Sequence, residues 1–158
     1  MLFRVSEARD IAAMALIRTR EWGEVEYWEN RISGYLDGRL SPHHALAPRH
    51  CYIAAEENEL VGFVAGHLTR RYDCTGEIQW INVAPEWRSR GVASELLWLL
   101  AKWFVEQGAL RVCVDVDPSN AVARAFYRLH RAEELNRHWL VWNDISVLLG
   151  QYRRSISH

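Results

Sequence analysis

The residues best suited to chemistry lie in Val83-Ala84-Pro85-Glu86-Trp87-Arg88-Ser89-Arg90-Gly91-Val92-Ala93, an Arg-x-x-Gly-x-Ala pattern between a strand-like run and a helical one. That chemistry is anion capture. A helix start leaves about four N–H groups without intrahelical partners and carries roughly half a positive charge. A phosphate placed there satisfies both. Gly91 has no Cβ and lets a bulky diphosphate approach the backbone, while Ala93 is small enough to keep the turn open. Arg88 and Arg90 add guanidinium forks suited to phosphate oxygens. The same six residues would also serve as an ordinary helix start with two solvated arginines.

These residues need a strand before them and a helix after them. Gly76 to Val83 alternates loosely between Gly76 and Pro85 and reads as a strand. Arg111 to Val116 is a second strand, with valines on one face. Between them, Ala93, Leu96, Leu97, Leu100 and Phe104 fall in one helical stripe, with Leu99 and Trp103 at its edge. Glu95, Lys102 and Glu106 take the opposite face. Trp98 lies on that polar face and is expected to be exposed. Gly108 is placed for a left-handed cap. Strand, helix, strand favours parallel pairing with a right-handed crossover, and a ligand then sits at the carboxyl ends of the strands.

A second motif follows in Asp117-Pro118-Ser119-Asn120-Ala121-Val122-Ala123-Arg124-Ala125-Phe126-Tyr127. Asp117 is suited to cap a helix and Pro118 to its first turn. Helical spacing predicts a buried stripe of Val122, Ala125, Phe126 and Leu129. Asn120, Ala123 and Tyr127 share a different face over two turns, where a polar pair can line a slot.

These motifs together resemble the GNAT superfamily of acetyl-CoA-dependent N-acetyltransferases. The resemblance rests on Glu77, Ile78, Val83 and Pro85, on Arg88-x-x-Gly91-x-Ala93, and on Asn120-x-x-Ala123-x-x-Phe126-Tyr127. The family pattern continues with a Gly-Phe pair, where this chain has Arg131-Ala132. The resemblance implies an α/β fold: a mixed, mostly antiparallel sheet with a splayed parallel central strand pair and helices on both faces. It implies acetyl-CoA as cosubstrate, with the backbone around Ile81 and Val83 pairing to the pantetheine arm. The N–H groups of Arg88, Ser89, Arg90, Gly91, Val92, Ala93 and Ser94 would hold the pyrophosphate. Asn120, with Ala123 beside it, would contact the pantetheine. Glu77 matches a position that often serves as general base, directly or through water, and Tyr127 would face the leaving thiolate.

The implied reaction is acetyl transfer to a primary amine of a small molecule or peptide, by direct attack in a ternary complex. A lysine-like amine has a pKa near 10.4, so roughly one molecule in two thousand is neutral at pH 7. A base is therefore useful, and a positioned one contributes about 10² to 10⁴ in rate. The alternatives are a non-catalytic acetyl-CoA sensor and a transferase for another acyl group or acceptor. In similar proteins the first two helices and a late hairpin frame the acceptor. Here those regions carry Trp22, Glu24, Glu26, Tyr27 and Trp28, then Trp139 and Trp142. Aromatic walls with acidic groups suit a cationic amine. Packing in the core, or in a homodimer surface, is the other use for these rings.

The amino-terminal third reads as a strand at Leu2 to Val5, a helix from Glu7 to Arg20 and another from about Glu24 to Leu36. A loop marked by Gly34, Gly38, Pro42 and Pro48 follows. Then comes a hairpin of Cys51 to Glu56 and Leu60 to Leu68, turned through Glu57-Asn58-Glu59. Trp139 to Trp142 reads as a late strand.

Size and composition bound the rest. The 158 residues suit a single domain over 1–158, 49% hydrophobic and 25% charged. A net charge of -1 without a basic run argues against a nucleic-acid binder. Cys51, Cys74 and Cys113 are too few and scattered for a disulfide framework, and Cys51 and Cys113 read as buried thiols. His43, His44 and His50 lack the spacing of a zinc site, so no metal is expected. No membrane span or signal peptide is evident, and the expected location is cytoplasmic.

Overall fold

A computed structural model of the chain describes residues 1–150. The expected single domain of residues 1–158 therefore ends outside the described residues.

Strand β1 (Leu2–Val5) leads through a 3₁₀ turn at Ala8–Asp10 into helix α1 (Ile11–Thr19), so the helix expected from Glu7 begins a turn later. Helix α2 (Val25–Asp37) follows. Strands β2 (Ala45–Glu56) and β3 (Glu59–Thr69) form the expected hairpin, with Glu57 left-handed at its turn (φ 55). Both strands are longer than expected. β2 runs back through Pro48 because the register slips between Leu46 and Arg49, and such an irregularity tolerates a residue without an N–H donor. His50 thus belongs to a strand, stacked on Trp103 at 5.2 Å, and the loop before β2 closes at His44.

Strand β4 (Gly76–Val83), helix α3 (Val92–Glu106) and strand β5 (Val112–Asp115) form the expected crossover unit. Gly108 takes the predicted left-handed conformation (φ 78) after α3. Helix α4 (Ala121–Leu129) and strands β6 (Glu133–Glu134) and β7 (Trp139–Trp142) are the last elements among the described residues.

Among the described residues seven strands lie in the order β1-β2-β3-β4-β5-β7-β6. Every pairing is antiparallel except β4 with β5. The sheet needs cover on both faces. On one, α3 buries Leu96, Leu97, Leu100 and Phe104 with Tyr127, Leu140 and Trp142. On the other, Met14, Ala15, Trp28, Ile32 and Tyr35 from α1 and α2 pack on Ile53, Phe63 and Trp80. Each large apolar side chain so buried contributes about 1.5–3 kcal/mol before entropy is counted. The polar-face residue Trp98 is half-buried, not exposed: Lys102, one turn on, lies with its ammonium 5.7 Å from the ring.

Helix α4 corrects two expectations. Asn120, not Asp117, is its cap: the Asn120 Oδ1 accepts from the Ala123 N–H at 3.1 Å. Asp117 instead closes a turn, accepting from the Ser119 N–H and hydroxyl. Of the predicted stripe only Phe126 faces the core, since Val122 is 82% and Leu129 72% exposed and Ala125 is exposed too. The buried side is made by Ala123, Phe126, Tyr127 and His130. Two aromatic rings hold more apolar area than the aliphatic row, and Arg124 fixes this orientation by donating to the Val116 and Arg137 carbonyls.

After α4 the chain reverses through Arg131, whose φ is 70, and the Ala132 N–H reaches back to the Tyr127 carbonyl at 3.0 Å. A side chain in this conformation costs about 1–2 kcal/mol, part of which glycine's own entropy offsets. Arg131→Gly is expected to stabilise the fold by about 0.5–1 kcal/mol and raise Tm by ~2–3 °C. Thermal denaturation followed by circular dichroism checks this, and an unchanged or lower Tm would contradict it.

The Arg4 guanidinium forks onto Asp10 with both bonds at 2.8 Å, and the Glu7 N–H adds a third at 2.7 Å. These bonds, Arg4 first, hold the Asp10 carboxyl below its ordinary range. A depressed carboxyl contributes stability that is present above its unfolded value, about 3.9, and lost as the pH falls through the folded one. Asp10→Asn is therefore expected to remove part of the loss in urea midpoint below pH 4. A wild-type acid slope in that variant would overturn the assignment.

Candidate active site

The site begins where two parallel strands part. β4 pairs with β5 only through Gly76↔Val112, Glu77↔Cys113 and Ile78↔Val114, and β5 stops at Asp115 while β4 runs on to Val83. On its other edge β4 stays paired to β3, with Ala65↔Trp80 followed by Gly66↔Ile78, so Gln79 is an extra residue. Such a bulge bends a strand and increases its twist. The backbone of Gln79 to Val83, including Ile81 and Val83, is left without a strand partner on the β5 side. Open peptide groups along a strand edge are a template for another extended chain.

The carboxyl end of β4 runs into the Arg-Gly turn. A 3₁₀ turn at Pro85–Trp87 precedes Arg88, Ser89, Arg90 and Gly91, all exposed. Ser89 (φ 63) and Gly91 (φ 82) are left-handed, a backbone shape that exposes successive N–H groups to an anion. A Cβ on Gly91 would meet nothing within 4 Å, so the glycine serves the left-handed backbone and borders open space. Gly91 is the helix cap without a side-chain cap bond, and the first intrahelical bond joins Glu95 N–H to the Gly91 carbonyl. The N–H groups of Val92, Ala93 and Ser94 precede that bond. Arg88 donates from Nε to the Val83 carbonyl at 3.1 Å, and Arg90 lies over the Trp87 ring at 4.7 Å. The Ser94 hydroxyl meets His130 Nε2 at 3.0 Å, tying this turn to the end of α4. Burial holds the His130 imidazole below its ordinary pKa.

Glu77 sits on the paired part of β4 and is only 4% exposed. It is not a solvated surface carboxylate. Its Oε1 accepts from the Thr69 hydroxyl and from Arg71 Nε, both at 3.2 Å, and its Oε2 lies 3.6 Å from His67 Nε2. His67 Nδ1 in turn meets the Tyr35 hydroxyl at 2.8 Å. Beside this group Arg31, Tyr35, Leu40, Ser41, Pro42, Gln79 and Trp80 line a recess next to the bulge.

Along α4 the three motif residues run from surface to core: Asn120 is exposed, Ala123 half-buried and Tyr127 buried. The Asn120 oxygen is engaged in capping. Tyr127 packs edge-on to Trp142 at 5.7 Å, and burial pushes its phenol above the usual tyrosine range. That hydroxyl keeps its proton at neutral pH.

The aromatic residues fall in two groups. Trp22, Tyr27 and Trp28 cluster at the α1–α2 joint, with Trp22 exposed and Trp28 buried against Trp80. Arg18 covers the Trp28 ring at 4.3 Å and donates to Asn82 Oδ1 at 3.0 Å. Glu26 is exposed on α2. Trp139 belongs to the other group, with Tyr72 at 5.6 Å and the Arg71 guanidinium over its ring at 4.6 Å. Arg71 thus joins Trp139 to Glu77.

Sequence reasoning missed Tyr35, His67, Thr69 and Arg71 around Glu77, and also Arg18, Asn82 and His130. The alternation of His67 and Thr69 along β3 is the one local signal for a polar pair on a single face. Cys51, Cys74 and Cys113 are free and buried. Among the described residues no cluster could hold a metal ion, and no helix is long and apolar enough to cross a membrane.

Comparison with known proteins fits this geometry. An N-alpha-acetyltransferase MAK3 of Arabidopsis thaliana is 32% identical over 99 residues, covering 60% of this chain and 52% of that protein. An L-2,4-diaminobutyric acid acetyltransferase of Marinococcus halophilus is 31% identical over 78 residues, covering 49% of this chain and 45% of that one. The chain thus spans about half the length of these curated relatives. In fold it is similar to the crystal structure of a putative acetyltransferase of the GNAT family from Desulfovibrio desulfuricans, with a TM-score of 0.72 at 15% identity, covering 91% of this chain and 98% of the other. The sequence itself matches the acetyltransferase (GNAT) family over residues 11–130. With the splayed strands and the Arg-Gly turn inside that match, the chain belongs to the GNAT acetyltransferase family.

Proposed function

We propose that this protein transfers an acetyl group from acetyl-CoA to a primary amine of a small molecule or peptide, by direct attack within a ternary complex. The observation that carries this reading is the continuity of the open β4 edge with the exposed turn at Arg88–Ser94. An extended pantetheine arm fits the edge, with Ile81 and Val83 as its backbone partners. The diphosphate then falls at the N–H groups of Arg88, Ser89, Arg90, Gly91, Val92, Ala93 and Ser94. The Asn120 amide, whose oxygen caps α4, has its NH₂ to offer the arm, and Ala123 leaves room beside it.

In this scheme Glu77 takes one proton from the ammonium form of the acceptor, directly or through water. The freed lone pair attacks the thioester carbonyl, forming a C–N bond. Collapse breaks the C–S bond, the Tyr127 O–H protonates the departing sulfur, and the second amine proton restores the tyrosine through solvent. The net products are amide, CoA thiol and one proton. Tyr127 suits this role because burial keeps its hydroxyl protonated. The acceptor cleft is framed by Trp22, Glu26, Trp28 and Trp139. Arg18 and Arg71 already cover the faces of Trp28 and Trp139, which leaves Trp22 and Glu26 as the open ring and the carboxylate for a cationic amine. The amine-directed names of the two relatives support an amine acceptor.

Two measurements test this. Calorimetry is expected to show acetyl-CoA binding that weakens at least about tenfold in Gly91→Val, because a β-branched residue is strained at that left-handed position. No binding by the wild-type chain would end the proposal. With an acceptor found by a thiol-release screen of amines and peptides, Tyr127→Phe and Glu77→Gln are each expected to lower kcat by about 10² to 10⁴ while acetyl-CoA affinity stays within a few-fold. Tight binding with no thiol release from any amine would make the protein a sensor instead.

A further inference from the structure

Glu77 is held asymmetrically. Its Oε1 carries two donors, the Thr69 hydroxyl and Arg71 Nε, whereas Oε2 has only His67 Nε2 nearby, at 3.6 Å and beyond hydrogen-bond length. His67 is fully buried, and its Nε2 has no hydrogen-bond partner. A buried polar atom without a partner costs about 1–3 kcal/mol. The other ring nitrogen is engaged with the Tyr35 hydroxyl at 2.8 Å. Tyr35 is itself clamped: Arg49 lies over its ring at 4.9 Å and donates to its carbonyl at 2.7 Å, and Trp80 packs edge-on at 5.0 Å.

An imidazole carrying one ring proton has two tautomers, and the surroundings distinguish them. With the proton on Nδ1, the ring donates to the tyrosine oxygen and turns the Nε2 lone pair toward a carboxylate. Lone pair then faces lone pair. With the proton on Nε2, the tyrosine O–H donates to Nδ1 and the ring N–H faces Oε2, so both contacts are attractive. We propose that Tyr35 and His67 are positioning residues that set the Nε2–H tautomer and thereby hold Glu77 Oε2 in place as the oxygen that accepts the acceptor's proton.

This inference rests on the general-base reading of Glu77 and adds which of its oxygens works and what aims it. Oε1 faces the Arg71 Nε–H and the Thr69 hydroxyl, whose one proton it shares with the His44 carbonyl. Oε2 meets one donor at a slack distance, so it keeps lone pairs open to a water or an amine while Oε1 stays bonded. Neither Tyr35 nor His67 touches substrate in this scheme. Their effect is orientation, and small misplacements at a reacting centre can cost about 10²-fold in rate.

Long-range ¹H–¹⁵N spectra of protein labelled at histidine test the tautomer without any substrate. His67 is expected as the Nε2–H form in the wild type and as a mixture in Tyr35→Phe, with its Nε2 shift moving in Glu77→Gln. An Nδ1–H form in the wild type would overturn the proposal. With an acceptor in hand, Tyr35→Phe and His67→Leu are expected to lower kcat about 10- to 100-fold at unchanged KM. His67→Gln, which can donate to Oε2 and accept from Tyr35, is expected to restore most of that loss. If Glu77→Gln loses activity while Tyr35→Phe and His67→Leu fold and keep wild-type kcat, the relay falls and the base reading stands. If Glu77→Gln itself stays active, the base reading falls first.

Discussion

The parting of β4 from β5 is the constraint on which the rest of the structure depends. A buried peptide group without a partner is costly, so a central strand does not normally lose its neighbour halfway along. Here β4 keeps β3 on one side throughout and gives up β5 after Ile78. The extra residue Gln79 supplies the bend that drives the strands apart. Everything on the α3 side then follows from geometry, since the end of β4 passes through one short turn into α3 and the open edge leads to the uncapped helix start. A strand edge and a helix N-terminus are the two places where backbone donors stand free, and this fold sets them end to end.

Two helical layers hold the gap open in different ways. α3 packs Leu96, Leu100 and Phe104 under the sheet, so the Arg-Gly turn projects from a rigid base. α4 is short and amphipathic, with Tyr127 in the core and Asn120 at the rim. The contact between Ser94 and His130 ties the start of one helix to the end of the other. On the opposite face α1 and α2 cover Trp80 and Asn82 and bring Tyr35 down to His67.

Much of this was legible in the sequence because it is local. The Arg-x-x-Gly-x-Ala run, the α3 stripe, the Gly108 cap and the strands on either side depend on residues within one element of each other. The errors arose where a choice depends on distant partners. Nothing near Val122 or Leu129 reveals that the helix turns them outward, because Arg124 fixes its orientation through the carbonyls of Val116 and Arg137. Pro48 reads as a loop marker until the slip between Leu46 and Arg49 accommodates it. Arg131 stands where the family pattern has glycine, and the turn adopts the glycine-like conformation regardless (φ 70). Local chain reversal overrides the intrinsic preference of the residue.

The environment of Glu77 was the least legible part, since it draws on three separated stretches: Tyr35, the run His67, Thr69 and Arg71, and Cys113. Only the register makes them meet. Antiparallel pairing sets His67 opposite Glu77, and the parallel pair sets Cys113 on its other side. Arg71 arrives from a tight turn in which Tyr72 and Asp73 are both left-handed, so the guanidinium reaches Glu77 and the Trp139 ring at once. Placing a buried carboxylate on the last paired residues before the strands diverge has a physical consequence. The sheet fixes its backbone on both sides, while its side chain lies beside the point where the hydrogen-bond ladder opens. For the general base proposed above, that mounting matters, because a carboxylate on the unpaired part of β4 would lack the β5 partner that Glu77 has in Cys113.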